Sequence, residues 1–240
     1  MTEPQTWQQV PDGWPVAGPE LVEHAKVQAM VALTAVTDRG PVERLVSYYD
    51  RAGNYAGATF AELYPNIPDD ITAVDLHALT LMKVEVLGGG TRRLLEGNTH
   101  RPAILQALAD VEHKDLLVAG PDDFLAMEQL YLLIRDVLSE PGTKIRNRWV
   151  TASKLCARKR YDLFPVRDDV VCRYLGLIPA KGYGNYQVDW QVYRALIGDR
   201  EVIDTIDDLV DKVKVTPDRD VHPDGGRLRI LDAALWMWAR

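Results

Sequence analysis

The chain has 240 residues, of which 47% are hydrophobic and 26% are charged, and its formal net charge is −7. This composition is typical of a globular protein that buries a hydrophobic core, and it excludes the disordered and fibrous classes. The acidic net charge also argues against a protein that only coats nucleic acid.

The cysteine and histidine content predicts no metal site and no cofactor. Cys156 and Cys172 are too few for a tetrahedral cysteine site, and no histidine pair has metal-ligand spacing. No basic region followed by an apolar stretch opens the chain, so no secretory signal is predicted. Charged residues interrupt the longest apolar candidate, at 21–36. We therefore expect no membrane insertion and a reducing, cytoplasmic location.

The first half of the chain predicts an irregular arm followed by helices. Residues 1–18 contain three prolines and two tryptophans without periodicity. Helices are then predicted at 21–37 and 42–49, and turn-forming residues predict loops at 50–57 and 64–70. The capping signal Thr72-x-x-Asp75 opens a helix whose apolar spacing continues to Val86, and Gly88-Gly89-Gly90 is expected to end it.

The second half continues the helical pattern. Short helices are predicted from Thr91 and Arg101, and Gly120-Pro121 opens a longer helix that Pro141-Gly142 ends. Further helices are predicted at 147–159, 170–175, 190–197, 202–213 and 228–238. Few alternating β patterns and no internal repeat are present. The sequence therefore predicts an all-α, compact helical array, with residues 19–240 forming a single domain.

Basic residues are concentrated between positions 141 and 160, where seven occur without an acidic residue. On a helix, Thr151, Lys154 and Arg158 share one face, which is typical of a stripe that contacts phosphates. Such runs are also common on solvated faces, and on an acidic body some partners are expected to be intramolecular carboxylates. The candidate nucleic-acid-binding residues are Lys144, Arg146, Arg148, Thr151, Lys154, Arg158, Lys159 and Arg160.

The segment from Thr151 to Leu175 matches a known pattern without a gap. Its features are Thr151-Ala152, the corner Phe164-Pro165-Val166, and then Asp168, Val171, Arg173 and Leu175. This segment resembles the second half of the helix-hairpin-helix DNA glycosylase motif. The resemblance implies a helical fold in two lobes and excision of a base from an extruded nucleotide, with Asp168 as the catalytic carboxylate.

Three features qualify this resemblance. Asp168 or Asp169 also fits the N-cap of the helix that follows, so a structural role stays open. Val150 occupies the position that carries the Schiff-base lysine in bifunctional members, so no β-lyase activity is implied. The glycine-rich hairpin of the family is replaced by basic residues at 144–148, whose side chains would have to substitute for backbone amides as phosphate contacts.

A further set of short features is distributed over most of the chain. These features are Tyr49-Asp50-Arg51-Ala52-Gly53, Gly57-Ala58-x-Phe60, Asp75-Leu76-x-Ala78, Ser153-Lys154-Leu155, and Arg229-x-Leu231-Asp232 with Trp236. In them the whole chain resembles an uncharacterised bacterial family of helical proteins of similar length. That resemblance implies one evolutionary unit and no particular chemistry.

Two aromatic clusters, Tyr48-Tyr49 and Trp236-x-Trp238, are of a kind that stacks on bases or fills a core.

Two functional hypotheses follow. The first is a nucleic-acid-binding protein with a degenerate DNA-glycosylase-like fold, with DNA as the expected partner and monofunctional base excision through Asp168. The second is a catalytically inert helical module that binds a protein or nucleic acid. A concave pocket at Asp168, near Lys154 and Arg158, would favour the first hypothesis. A capped, buried Asp168 without a cleft would favour the second.

Overall fold

A computed structural model describes residues 6–97, 99–139, 148–179, 184–217, 219–223 and 225–240. Within these ranges the chain forms twelve α-helices and two short 3₁₀ segments, and it contains no β-strand. One isolated antiparallel bridge joins Asp50 to Val221. The predicted all-α class is confirmed.

The helices follow one another through short connections along most of the chain. The 3₁₀ segments are Thr6–Gln8 and Leu116–Val118. The α-helices are α1 (Pro19–Thr34), α2 (Pro41–Tyr49), α3 (Gly57–Glu62), α4 (Ala73–Leu81), α5 (Gly88–Leu95), α6 (His100–Asp110), α7 (Pro121–Leu138), α8 (Trp149–Lys159), α9 (Asp169–Tyr174), α10 (Tyr186–Gly198), α11 (Arg200–Lys214) and α12 (Arg227–Ala239).

Helix starts follow local chemistry. Pro19, Pro41 and Pro121 begin α1, α2 and α7, where the missing N–H of proline costs nothing and its φ suits the helix. The predicted capping signal of α4 is confirmed, because the backbone N–H of Thr72 donates to Asp75 Oδ2 at 2.8 Å.

The predicted length of α4 is wrong. The helix ends at Leu81, and its last carbonyls are satisfied by a tight C-terminal turn. In this turn, Lys83 N–H donates to Thr80 O at 3.0 Å and Val84 N–H donates to Leu79 O at 3.2 Å. Lys83 lies in the left-handed region, with φ of 57°. The glycines from Gly88 to Gly90 begin α5 instead of ending α4, and α3 was not predicted.

The core is built around two helices that have several neighbours. Helix α7 packs against α5, α6 and α8, whereas α12 packs against α1, α2, α9 and α11. Trp190 on α10 lies in an aromatic cluster, with the rings of Phe124, Tyr131 and Phe164 centred within 6.5 Å of its own ring. No helix in the described ranges has the length and apolar character needed to cross a membrane.

Candidate functional site

The basic run on α8 lies inside the protein. Lys154, Arg158, Lys159 and Arg160 expose 4% or less of their surface. The predicted stripe of Thr151, Lys154 and Arg158 lies on one helix face, but all three residues are buried, so this face is not an exposed surface for phosphates. The interpretation with intramolecular carboxylate partners is the one that the structure supports.

The other candidate nucleic-acid-binding residues have varied positions. Thr151 is buried on α8. Arg148 is half-buried at the N-terminal boundary of that helix. Lys144 and Arg146 lie outside the described residues, as does the segment that replaces the glycine hairpin.

Asp75 is the centre of the main buried ion network. Its Oδ1 accepts from Arg158 Nε at 3.2 Å, and its Oδ2 accepts from Lys159 Nζ at 3.0 Å. All three side chains are fully buried. Burial lowers the pKa of both Arg158 and Lys159, and the Asp75 carboxylate opposes that shift. The capping residue of α4 therefore also neutralises two cations of α8.

The same cations hold backbone carbonyls of distant segments. Arg158 donates to the carbonyls of Phe60, Ala61 and Leu63, which satisfies the C-terminal end of α3. Arg160 donates to the carbonyls of Leu108 and Val111 at 2.7 Å, at the end of α6. The basic run therefore ties α3 and α6 to α8, which is a scaffold role.

Asp168 is an N-cap, as the structural interpretation predicted, and it also lines a cavity. It is the N-cap of α9, with Oδ1 accepting from Val170 N–H at 3.1 Å. Its Oδ2 accepts from Lys154 Nζ at 2.9 Å, and Lys154 also donates to the carbonyl of Met82 at 3.0 Å. The Asp168 side chain is 15% exposed, and it lines a cavity.

This cavity, called here the Asp168 cleft, has an empty volume of about 740 Å³ including its open mouth. The cleft is lined from α2, α3, the end of α4, α8, α9 and α12 and from the adjoining loops. The lining residues are Tyr48, Asn54, Tyr55, Ala56, Gly57, Phe60, Leu81, Met82, Lys83, Lys154, Val166, Asp168, Val171, Arg229, Asp232 and Trp236.

One side of the cleft is an aromatic wall formed by Tyr48, Tyr55 and Trp236. The rings of Tyr48 and Tyr55 are nearly parallel, at 25° with centroids 6.4 Å apart, and Trp236 meets both edge-on. Gly57 makes this wall possible, because a Cβ at that position would lie 2.0 Å from Cε1 of Tyr48. Wide, flat apolar faces of this kind stack on planar ligands.

The polar part of the lining includes a second ion pair. Arg229 Nη2 lies 2.7 Å from Asp232 Oδ2 and also donates to the carbonyl of Phe164. The backbone N–H of Val166 donates to the same Asp232 oxygen at 3.0 Å. Arg229 Nε and Nη1 have no hydrogen-bond partner among the described residues, although the residue is only 4% exposed.

Arg158 and the two cysteines do not contribute reactive groups to the cleft. Arg158 does not line the cleft, because it is committed to Asp75 and to α3. Cys156 and Cys172 are fully buried, and burial raises the pKa of both thiols, which disfavours the nucleophilic thiolate. In the described part of the chain, no three His, Cys, Asp or Glu side chains are placed to hold a metal ion.

Sequence reasoning identified part of the cleft and missed the rest. Asp168, Tyr48 and Trp236 were singled out, the last two as aromatic clusters with two open interpretations. Lys83, Arg229 and Asp232 were not assigned a functional role. A signal did exist for two of them, because Arg229-x-Leu231-Asp232 is among the features of the whole-chain resemblance, together with Lys154 and Phe60.

The fold and the cleft define an all-helical protein with an aromatic pocket beside a carboxylate–lysine pair. The chain belongs to DUF6308, a family of unknown function, which matches residues 41–239. Every residue that lines the Asp168 cleft falls within this span. Neither a curated protein nor a solved structure matches the chain.

Proposed function

We propose that the Asp168 cleft binds a nucleobase and that the protein hydrolyses the N-glycosidic bond of that base, as a monofunctional DNA-glycosylase-like enzyme. The observation that carries the proposal is the position of Asp168, whose carboxylate lines the same cleft as the aromatic wall. Aromatic rings stack on the faces of a planar base. When the glycosidic bond breaks, positive charge develops on the sugar, and a nearby carboxylate stabilises it.

Each lining group has a role under this proposal. Tyr48, Tyr55 and Trp236 supply stacking surface for the base. Asp168 stabilises the positive charge that develops on the sugar as the C–N bond breaks, and it orients the water that adds to the same carbon. The departing base takes the bonding electron pair and gains a proton, while the sugar gains the hydroxyl of the water.

The surroundings of Asp168 are compatible with this role. Its two oxygens have one protein partner each, Val170 N–H and Lys154 Nζ, and an ionised carboxylate accepts about four hydrogen bonds. Capacity therefore remains for a water molecule. The position at the start of α9 adds backbone N–H groups, which favour a negative charge there. A two-lobe, glycosylase-like arrangement of the helices belongs to the same proposal.

The alternative is a catalytically inert module that binds a nucleic acid or a protein without excision. The observation that favours it is that both oxygens of Asp168 already accept hydrogen bonds, one in the cap of α9 and one from Lys154. The burial of the basic run also removes four of the residues expected to hold a duplex. Both hypotheses use the same cleft, and they differ in whether a glycosidic bond breaks.

The test is a panel of duplex and single-stranded DNA and RNA substrates that carry different damaged or modified bases. The protein is incubated with each substrate, and abasic product is scored after alkaline cleavage. We expect abasic product from at least one substrate, without strand scission before the alkali, because Val150 stands where a lyase would carry its lysine. Intact substrates throughout, together with measurable binding of a nucleobase, would establish the inert alternative.

A further inference from the structure

We infer that Lys83 and Arg240 bind a phosphate group of the ligand at the mouth of the Asp168 cleft, so the ligand is a nucleotide unit and not a free base. This inference rests on the proposed function, in which the base occupies the cleft. It also assigns the phosphate contact to a different surface from the basic run of α8. The two cations lie against the same aromatic wall that is proposed to stack on the base.

Lys83 presents its ammonium to this wall. It lines the cleft, and its Nζ lies 5.8 Å from the centroid of the Trp236 ring. Lys83 is exposed, and no carboxylate among the described residues lies within ion-pairing distance of it. This distinguishes Lys83 from the other cations of the cleft, since Lys154 is paired with Asp168 and Arg229 with Asp232.

Arg240 contacts the same wall. Its Cζ lies 4.7 Å from the centroid of Trp236 and 5.1 Å from that of Tyr55. The residue is exposed, and no described carboxylate pairs with it. Stacking on two rings fixes the plane of the guanidinium and leaves its N–H edges for an acceptor.

The surroundings add positive charge. Tyr55 also lines a neighbouring cavity, together with Arg39, Arg44, Arg240 and Asp38. Arg44 donates to three backbone carbonyls and stacks on Trp238, so its charge is fixed in place. Arg39 is paired with Glu43, whose Oε1 lies 3.9 Å from its Nε. Arg44 and Arg240 have no carboxylate partner among the described residues, so these two cations supply the positive charge beside Tyr55 that attracts an anion.

The backbone of Lys83 gives an independent reason for a role in binding. Lys83 occupies the left-handed position that ends α4, where glycine is the usual residue and a lysine carries a steric cost. The side chain is exposed, so it contributes no core packing that would offset this cost. A strained residue beside a cleft is a candidate for function. A glycine at position 83 would avoid the steric cost but would not supply the ammonium group that lysine places at the cleft.

The experiment compares nucleosides with nucleotides on the intact chain. Dissociation constants are measured by calorimetry for deoxyadenosine, deoxyguanosine, deoxycytidine and thymidine, and for their 5′-monophosphates, at low salt. For the wild type we expect the monophosphate of at least one base to bind roughly tenfold more tightly than its nucleoside, which is the effect of a charge-assisted contact. In the double variant Lys83→Gly with Arg240→Ala, this ratio should fall close to one.

Lys83→Gly alone makes the test specific. Because glycine relieves the left-handed strain, we expect the melting temperature of this variant to rise by roughly 2–4 °C while part of the phosphate advantage is lost. A gain in stability with a loss of binding cannot be explained by unfolding. Arg200→Ala, a change at an exposed arginine outside the cleft, is the matched control and should alter neither quantity.

The outcomes separate the two proposals. If a nucleoside binds but its monophosphate binds no more tightly, or if the double variant keeps the wild-type ratio, the phosphate assignment is overturned and the base pocket stands. If neither a nucleoside nor a monophosphate binds, both proposals fail. A single-stranded oligonucleotide is measured in the same way. If it binds more tightly than the monophosphate, and the double variant loses this affinity, the phosphate belongs to a nucleic acid. If the oligonucleotide and the monophosphate bind with equal affinity, the phosphate belongs to a free nucleotide.

Discussion

Asp75→Asn should lower the free energy of unfolding by about 3 to 5 kcal/mol. Asparagine keeps the size of the side chain but removes its charge. Arg158 and Lys159 would then remain buried, with no carboxylate in direct contact between them. The amide would also weaken the cap of α4, where Thr72 N–H donates to Asp75 Oδ2.

Urea denaturation monitored by circular dichroism measures this effect. The matched control is Asp208→Asn, which breaks an exposed pair with Lys212 one turn along α11 and should cost no more than about 0.5 kcal/mol. A cost below about 1 kcal/mol for Asp75→Asn would contradict the scaffold role of the basic run.

Asp168→Asn should lower the rate of base excision by roughly two orders of magnitude or more. A neutral amide does not stabilise a developing cation and does not orient water as a carboxylate does. Asparagine retains most of the N-capping ability, so α9 should remain formed. The rate is measured under single-turnover conditions on whichever substrate yields abasic product, with Asp169→Asn as the control at an exposed neighbour.

The ion pair with Lys154 adds a structural cost that the sequence did not indicate. Capping alone predicts a loss of no more than about 1 kcal/mol, but a buried ammonium that loses its carboxylate raises the expected loss to about 1 to 3 kcal/mol. The double variant Lys154→Met with Asp168→Asn removes both charges and should recover stability. If excision is regained along with stability, Asp168 acts only as a cap and an ion-pair partner. Continued absence of excision in the stable double variant supports the catalytic role.

Helix positions were largely predictable because their causes are local. The apolar spacing and the proline start of α7 lie within one segment, and so does the capping signal of α4. The C-terminal end of α4 was not predictable in this way. Val84 and Val86 continue the apolar spacing, and the left-handed Lys83 breaks the helix without a glycine to mark the position.

The residues of α8 alone did not indicate whether its basic side chains are buried or exposed to solvent. A run of cations on a helix is usually solvated, and burial requires partners that lie far away in the chain. Asp75 and the carbonyls of Phe60 and Leu108 are such partners, and only tertiary packing brings them to α8. Asp75 was identified in the sequence as a capping residue, which gave no sign of its second role.

Individual residues of the cleft could be predicted from the sequence, but their assembly into one cleft could not, because it depends on tertiary packing. Asp168 was found through a motif, and Tyr48 and Trp236 through aromatic clustering. Their convergence depends on α12 packing against both α2 and α9, which no local pattern encodes. Arg229 and Asp232 lie on a helix whose apolar spacing indicates a core role, and their charges meet the cleft because of that packing.

The most direct test of the account is a nitrogen-15 NMR titration of the tryptophan side chains. The chain has six tryptophans, and Trp236 is the one that lines the Asp168 cleft. Its indole N–H resonance is assigned with Trp236→Phe, and nucleosides and their 5′-monophosphates are then added. We expect a saturable shift at Trp236, with much smaller shifts at Trp7 and Trp190, which lie elsewhere in the core. An unchanged Trp236 resonance with every ligand, or equal shifts at all assigned tryptophans, would contradict ligand binding in the Asp168 cleft.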